Sequence, residues 1–73
     1  MEKSTEELVF IVEEAPEGGY IAKALGVSIV TEADDLVMLR SRVLDAVRCH
    51  FVEEKQRPRI IRLHMVKDEV LAS

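Results

Sequence analysis

The chain has 73 residues, a net charge of −4, 48% apolar residues and one cysteine, Cys49. That length predicts one domain, residues 1–73. A lone cysteine excludes an internal disulfide, no Cys/His cluster has zinc-ligand spacing, and no apolar run approaches the ~20 residues of a membrane span. Met1 to Glu7 is polar and acidic, unlike a signal peptide, and with the free thiol this predicts a cytoplasmic protein.

Taken in order, Glu7 to Glu14 reads as a strand, because Leu8-Val9-Phe10-Ile11-Val12 is β-branched and aromatic and too short for a helix. Ala15-Pro16-Glu17-Gly18-Gly19 reads as a hairpin loop: proline presets φ and glycine accepts φ > 0. Tyr20 to Leu25 returns as a second strand, Gly26 breaks it, and Val27 to Val30 reads as a short third strand. The period then becomes helical, with Leu36, Leu39, Val43, Ala46, Val47 and His50 on one stripe. Thr31 and Asp34 are both good N-caps. The helix is expected from about Asp34 to about Glu53, ended by Gln56-Arg57-Pro58. Arg59 to Val66 is the last strand. Lys67-Asp68-Glu69 reads as a turn, and Val70 to Ala72 as a short edge strand.

The predicted class is α+β, in the order β-β-β-α-β, with one helix packed on one face of an antiparallel sheet. Leu8, Phe10 and Val12 share one face, and Val9 and Ile11 the other; Ile61, Leu63 and Met65 oppose Ile60, Arg62, His64 and Val66. Both faces are apolar and one helix covers only one of them. A domain this small rarely gains more than ~3–5 kcal/mol from its core. Both points predict self-association, as a homodimer or higher homo-oligomer.

Charge is unevenly distributed. Residues 1–35 hold nine acids and two lysines, for −7, while residues 36–73 carry +3. An acidic first half favours basic partners and disfavours phosphate backbones.

No catalytic constellation emerges. Paired carboxylates could hold a divalent metal for nuclease chemistry. However, Glu13 and Glu14 are neighbours on a strand and point to opposite faces. Glu17 lies in the turn, and helix capping already accounts for Asp34 and Asp35. His50 sits on the apolar stripe as a core or boundary histidine. His64, beside Arg62, reads as a half-exposed strand residue. Cys49, opposite the stripe, reads as a free thiol. Gly18-Gly19 joins two antiparallel strands and precedes no helix, so it is no phosphate loop. Arg57, Arg59, Arg62 and Lys67 form a basic stretch with too few aromatics nearby for single-stranded nucleic acid. They read as solvated charges that deter edge aggregation. No enzyme activity, cofactor or metal is expected. The candidate partner surface is the hairpin: Glu13, Glu14, Glu17 and Tyr20.

The stretch from Phe10 to Gly26, with its acidic Glu17-Gly18-Gly19-Tyr20 hairpin, resembles the start of HicB-like antitoxin domains. The resemblance continues through Thr31-Glu32-Ala33-Asp34 as the helix start, Leu36 and Leu39, and Ala46-Val47-x-x-His50-Phe51, covering residues 8–52. Beyond that, Arg59 to Val70 matches the closing strand in position only. The chain departs from the pattern in a shortened loop, Ala24-Leu25-Gly26-Val27, and in Ala33 where glycine is usual. Nothing matches the DNA-binding domain that typical HicB antitoxins add. The resemblance implies a stand-alone, partly degraded RNase H-like domain that self-associates, binds no nucleic acid directly, and neutralises a small basic HicA-type mRNA-cleaving toxin. The alternative is a homo-oligomeric HicB-like domain with no toxin partner, acting as a scaffold or small-molecule binder.

Overall fold

A computed structural model describes residues 6–67 and 71–72. It contains β1 (Glu7–Glu14), β2 (Tyr20–Ala24), β3 (Val30–Ala33), α1 (Leu36–His50), a 3₁₀ turn (Glu54–Gln56) and β4 (Ile60–Met65). The class is α+β and the order β-β-β-α-β, as expected. The turn expected at 67–69 and the edge strand expected at 70–72 lie largely outside the described residues.

The sheet order is β3-β2-β1-β4. β1–β2 and β2–β3 are antiparallel, whereas β4 runs parallel to β1, with Leu8 beside Ile61 and Phe10 beside Leu63. The sheet is therefore mixed, which corrects the antiparallel expectation. The cause lies in the helix. Two hairpin reversals leave β3 running with β1. The 15 residues of α1 span about 22 Å at 1.5 Å per residue, roughly one strand length. They carry the chain back to where β1 starts, so β4 repeats the direction of β1.

Burial follows the pleat. Leu8, Phe10, Val12 and Ala22 turn under the helix and meet Leu39, Val43 and Val47, with Ile29 closing the end; all eight are buried. Phe10, at zero exposure in the central strand, is the largest of them.

Several boundaries differ from the sequence reading. The third strand begins at Val30, not Val27, because the chain first folds back on itself: the Ala24 N–H donates to the Ile29 carbonyl at 2.9 Å and Ile29 N–H to Val27 at 3.1 Å. Ile29 is tucked into the core, and Thr31 pairs with Ala22 in the sheet. Thr31 is thus no helix cap. Asp35 fills that role instead of Asp34: its Oδ1 accepts from the Met38 N–H at 2.7 Å. At the other end α1 stops at His50. Arg57 closes it, donating from Nε to the Phe51 carbonyl at 2.8 Å and from Nη2 to Val52 at 3.3 Å. These are helix-end carbonyls that otherwise lack partners. Arg57 is therefore a structural cation, not a free member of a basic stretch. Pro58, just beyond it, is buried.

The sheet face away from the helix is uncovered among the described residues, as expected, but it is not continuously apolar. Across the strands, Ile11 lies between Lys23 and His64, Val9 beside Arg62, and Ile21 between Glu13 and Glu32. Arg62 is hydrogen-bonded to Glu7, which holds its pKa above the ordinary arginine value. Such alternation of apolar and charged residues suits a sheet face open to solvent.

Candidate partner-binding surface

The geometry of the hairpin explains why its side chains gather. Gly18 and Gly19 both take positive φ, +104° and +85°. The Gly18 N–H donates to the Ala15 carbonyl at 3.0 Å, and the Ala15 N–H to Gly19 at 2.9 Å. Gly19 has a second constraint. A Cβ there would lie 2.7 Å from the carbonyl oxygen of Ala33, at the end of β3. The loop backbone thus packs directly on the neighbouring strand end, and only glycine fits.

That packing sets the order of residues across one end of the sheet. Glu14, Tyr20 and Ala33 form the last row, and Glu13, Ile21 and Glu32 the row before it. Neighbouring strands lie about 4.8 Å apart, so Glu13 and Glu32, two strands apart on the same face, stand roughly 10 Å from each other. Glu13 and Glu14 project to opposite faces, as expected from the pleat, and both are exposed, as is Glu17 in the turn. Asp34 and Asp35 follow directly from β3. All four sequence-predicted residues therefore meet at one end of the molecule. Glu32 and Asp34 join them there. The sequence reading missed this, because strand register, not spacing along the chain, puts β3's end beside the hairpin.

Tyr20 sits between two shallow hollows at this end. One, about 430 Å³, lies between the hairpin and the start of α1, with Glu32, Asp34 and Arg42 on its walls. The other, about 190 Å³, lies toward the end of β4 with Glu14, Met65 and Lys67. The tyrosine ring packs against the core and is half-buried. It is an amphipathic platform of the type enriched at interfaces, with Glu14 beside it and Arg42 and Lys67 in the flanking hollows, while Glu13 and Glu32 stand on the opposite face of the sheet.

The remaining candidates are dispersed. His50 is exposed, not in the core, its ring edge-on to Phe51 at 4.8 Å between centroids. The apolar stripe ends one turn earlier, at Val47. His64 and Cys49 are exposed on separate elements. Among the described residues no polar or charged side chain is buried, and no three of His, Cys, Asp and Glu converge as a metal site. The strongly desolvated group that often marks an active site is therefore missing from those residues. No helix of the described residues is long and apolar enough to cross a membrane.

Two curated relatives are similar to the chain in sequence. A UPF0150 protein of Thermotoga maritima is 39% identical over 70 residues, covering 96% of this chain and 97% of the relative. The chain belongs to the UPF0150 family. A UPF0150 protein of Archaeoglobus fulgidus is 51% identical over 53 residues, which is 73% of this chain and 77% of that relative. No family model matches the chain, and no solved structure matches it significantly.

Proposed function

We propose that this UPF0150 protein is a HicB-like, antitoxin-type binding module. It acts in the cytoplasm without a cofactor and neutralises a small basic HicA-type mRNA-cleaving toxin by direct contact. The observation that carries the reading is the carboxylate-rich end of the sheet. Glu13, Glu14, Glu17, Glu32 and Asp34 are exposed at that end, Glu14 beside the half-buried Tyr20 and Glu13 and Glu32 on the opposite sheet face. Carboxylates outnumber the cations at this end, Arg42 and Lys67, and an excess of one sign steers a partner of the opposite sign and orients its approach. The hairpin resemblance to HicB-like domains, and with it descent from an RNase H-like fold, supplies the identity of that partner.

The test uses the small basic product of a reading frame adjacent to the gene. Binding is measured by calorimetry and toxin activity by cleavage of a reporter mRNA. The expected result is a stoichiometric complex in which cleavage stops. A toxin that cleaves at full rate in the presence of excess chain would defeat the proposal. A second reading, a stand-alone homo-oligomeric scaffold with no toxin, draws on a different observation: the apolar margin beside β4.

A further inference from the structure

The helix lies over β3 and β2 more than over β4. A groove of about 500 Å³ is left between α1 and β4, walled mainly by Leu36, Leu44, Ile61, Leu63 and Met65, with Arg40 the one charged side chain in its lining. Leu44 and Met65 are 44% and 49% exposed. Beside this groove runs the outer edge of β4, which pairs with no other strand among the described residues.

The hydrogen bonds reveal which backbone groups that edge presents. The Ile60 N–H donates inward to Glu6 at 2.9 Å, and the Val66 N–H inward to Val12 at 2.8 Å. Strand period two gives Arg62 and His64 the same direction. Ile61, Leu63 and Met65 therefore turn their N–H and C=O groups outward. The same three residues turn their side chains into the groove. Free backbone groups and an apolar wall thus belong to one continuous margin.

We propose that this margin is a homodimer interface: β4 pairs antiparallel with β4 of a second copy, with Leu63 opposite Leu63 across a two-fold axis. Three observations favour a second copy in this register. Outward-facing residues must face outward-facing residues, which restricts the pairing to shifts of two residues. Pairing Ile61 with Leu63 would set Arg62 against Arg62. Pairing Leu63 with Leu63 sets Arg62 against His64 and Ile60 against Val66, and Ile61 against Met65 on the groove side. Finally, Arg62 is already matched by Glu7 within its own chain, so it does not call for an acidic partner. A basic partner, such as the toxin proposed for the hairpin end, is disfavoured by the lack of any carboxylate on β4. The pairing forms about six interchain hydrogen bonds, two for each facing pair. It also joins two sheets into one of eight strands and brings the two apolar grooves together. Arg59 and Lys67 of opposite chains meet at the solvent-exposed ends, where salt screens their repulsion.

Sedimentation velocity on the full chain tests this. The expected species has twice the 8.3 kDa monomer mass, and its association tightens as salt is raised. Met65→Pro removes an outward N–H while leaving the inward ladder intact, a change tolerated on strand edges; it should be a folded monomer by circular dichroism. A monomeric wild type, or a Met65→Pro variant that still dimerises, would overturn the proposal. Register is read separately, in a Cys49→Ser background, where facing residues not bonded to each other lie about 4.5 Å apart at Cα, within disulfide reach. A mixture of Arg62→Cys and His64→Cys chains should cross-link on oxidation while neither does alone. Cross-linking by Arg62→Cys alone would refute the Leu63-centred register. A monomeric wild type that binds the toxin would remove this interface and leave the hairpin reading intact.

Discussion

Replacing Gly19 with alanine separates two forces that act on the hairpin end of the molecule. The added Cβ meets a backbone oxygen, Ala33 O, at 2.7 Å, in a residue at positive φ. The left-handed conformation costs an L-residue about 1–2 kcal/mol. The clash adds a second cost, because Ala33 is held in β3 by pairing with Tyr20 and its carbonyl cannot swing away as a side chain would. A total of about 2–4 kcal/mol is expected, the range of overpacked or strained sites. The internal control is the preceding residue. Gly18 has φ of +104° but nothing within 4 Å of its would-be Cβ, so Gly18→Ala should show the conformational cost alone, about 1–2 kcal/mol. In a domain of this size each kcal/mol moves Tm by about 4–8 °C. Thermal unfolding followed by circular dichroism should therefore place the Gly19→Ala midpoint roughly 5–15 °C below that of Gly18→Ala. Equal midpoints for the two variants would refute the close approach of the hairpin to β3, and with it the row that brings Glu32 beside Glu13.

Other expectations follow from the same structure. Asp35→Ala removes the Met38 cap and should cost about 1 kcal/mol, while Asp34→Ala should change little; chemical denaturation distinguishes them, and the reverse ranking would restore Asp34 as the cap. Arg57→Ala frees the carbonyls of Phe51 and Val52 and should cost about 1–2 kcal/mol, whereas Arg57→Gln should recover part of the loss; no change on denaturation would show the contacts contribute nothing. Phe10→Ala opens a cavity at the centre of the core at about 3–5 kcal/mol, enough to leave a domain of this size largely unfolded in water; a cooperative native-like transition in that variant would contradict the packing. Glu13→Lys/Glu17→Lys should slow association with the proposed basic partner about tenfold or more at low salt, with little effect at high salt; stopped-flow binding with unchanged rates would remove the hairpin from the interface.

What the sequence made legible, and what it hid, divides along physical lines. β1 was readable to the residue because Leu8 to Val12 combines β-branching with a strict pleat, and both signals agree. The hairpin was readable because proline and paired glycines have few conformational uses. β3 was displaced because Val27 to Val30 is as β-branched as a strand. Its first half is spent in a loop closed by an Ala24–Ile29 hydrogen bond, a bond that leaves no trace in composition. Thr31 and Asp34 looked like caps for the same reason that Asp35 is one, and only register with Ala22 removes Thr31 from the helix. The parallel placement of β4 was available in principle from counting chain reversals. Of the candidate surface, Glu13, Glu14, Glu17 and Tyr20 were legible because they are contiguous. Glu32 was not, because its proximity is created by pairing across two strands. The open sheet face looked apolar strand by strand. Its charges interrupt the apolar residues only when the strands are laid side by side, so the continuous apolar margin turns out to be at β4 and α1.

The most direct test of the central claim is the rate of reporter-mRNA cleavage by the proposed basic toxin, titrated with this chain and, in parallel, with Glu13→Lys/Glu17→Lys. Cleavage that falls to zero at a stoichiometric ratio with wild type, and needs a large excess of the charge-reversed variant, is the predicted result. Cleavage unaffected by wild type, or suppressed equally by both chains, would contradict it.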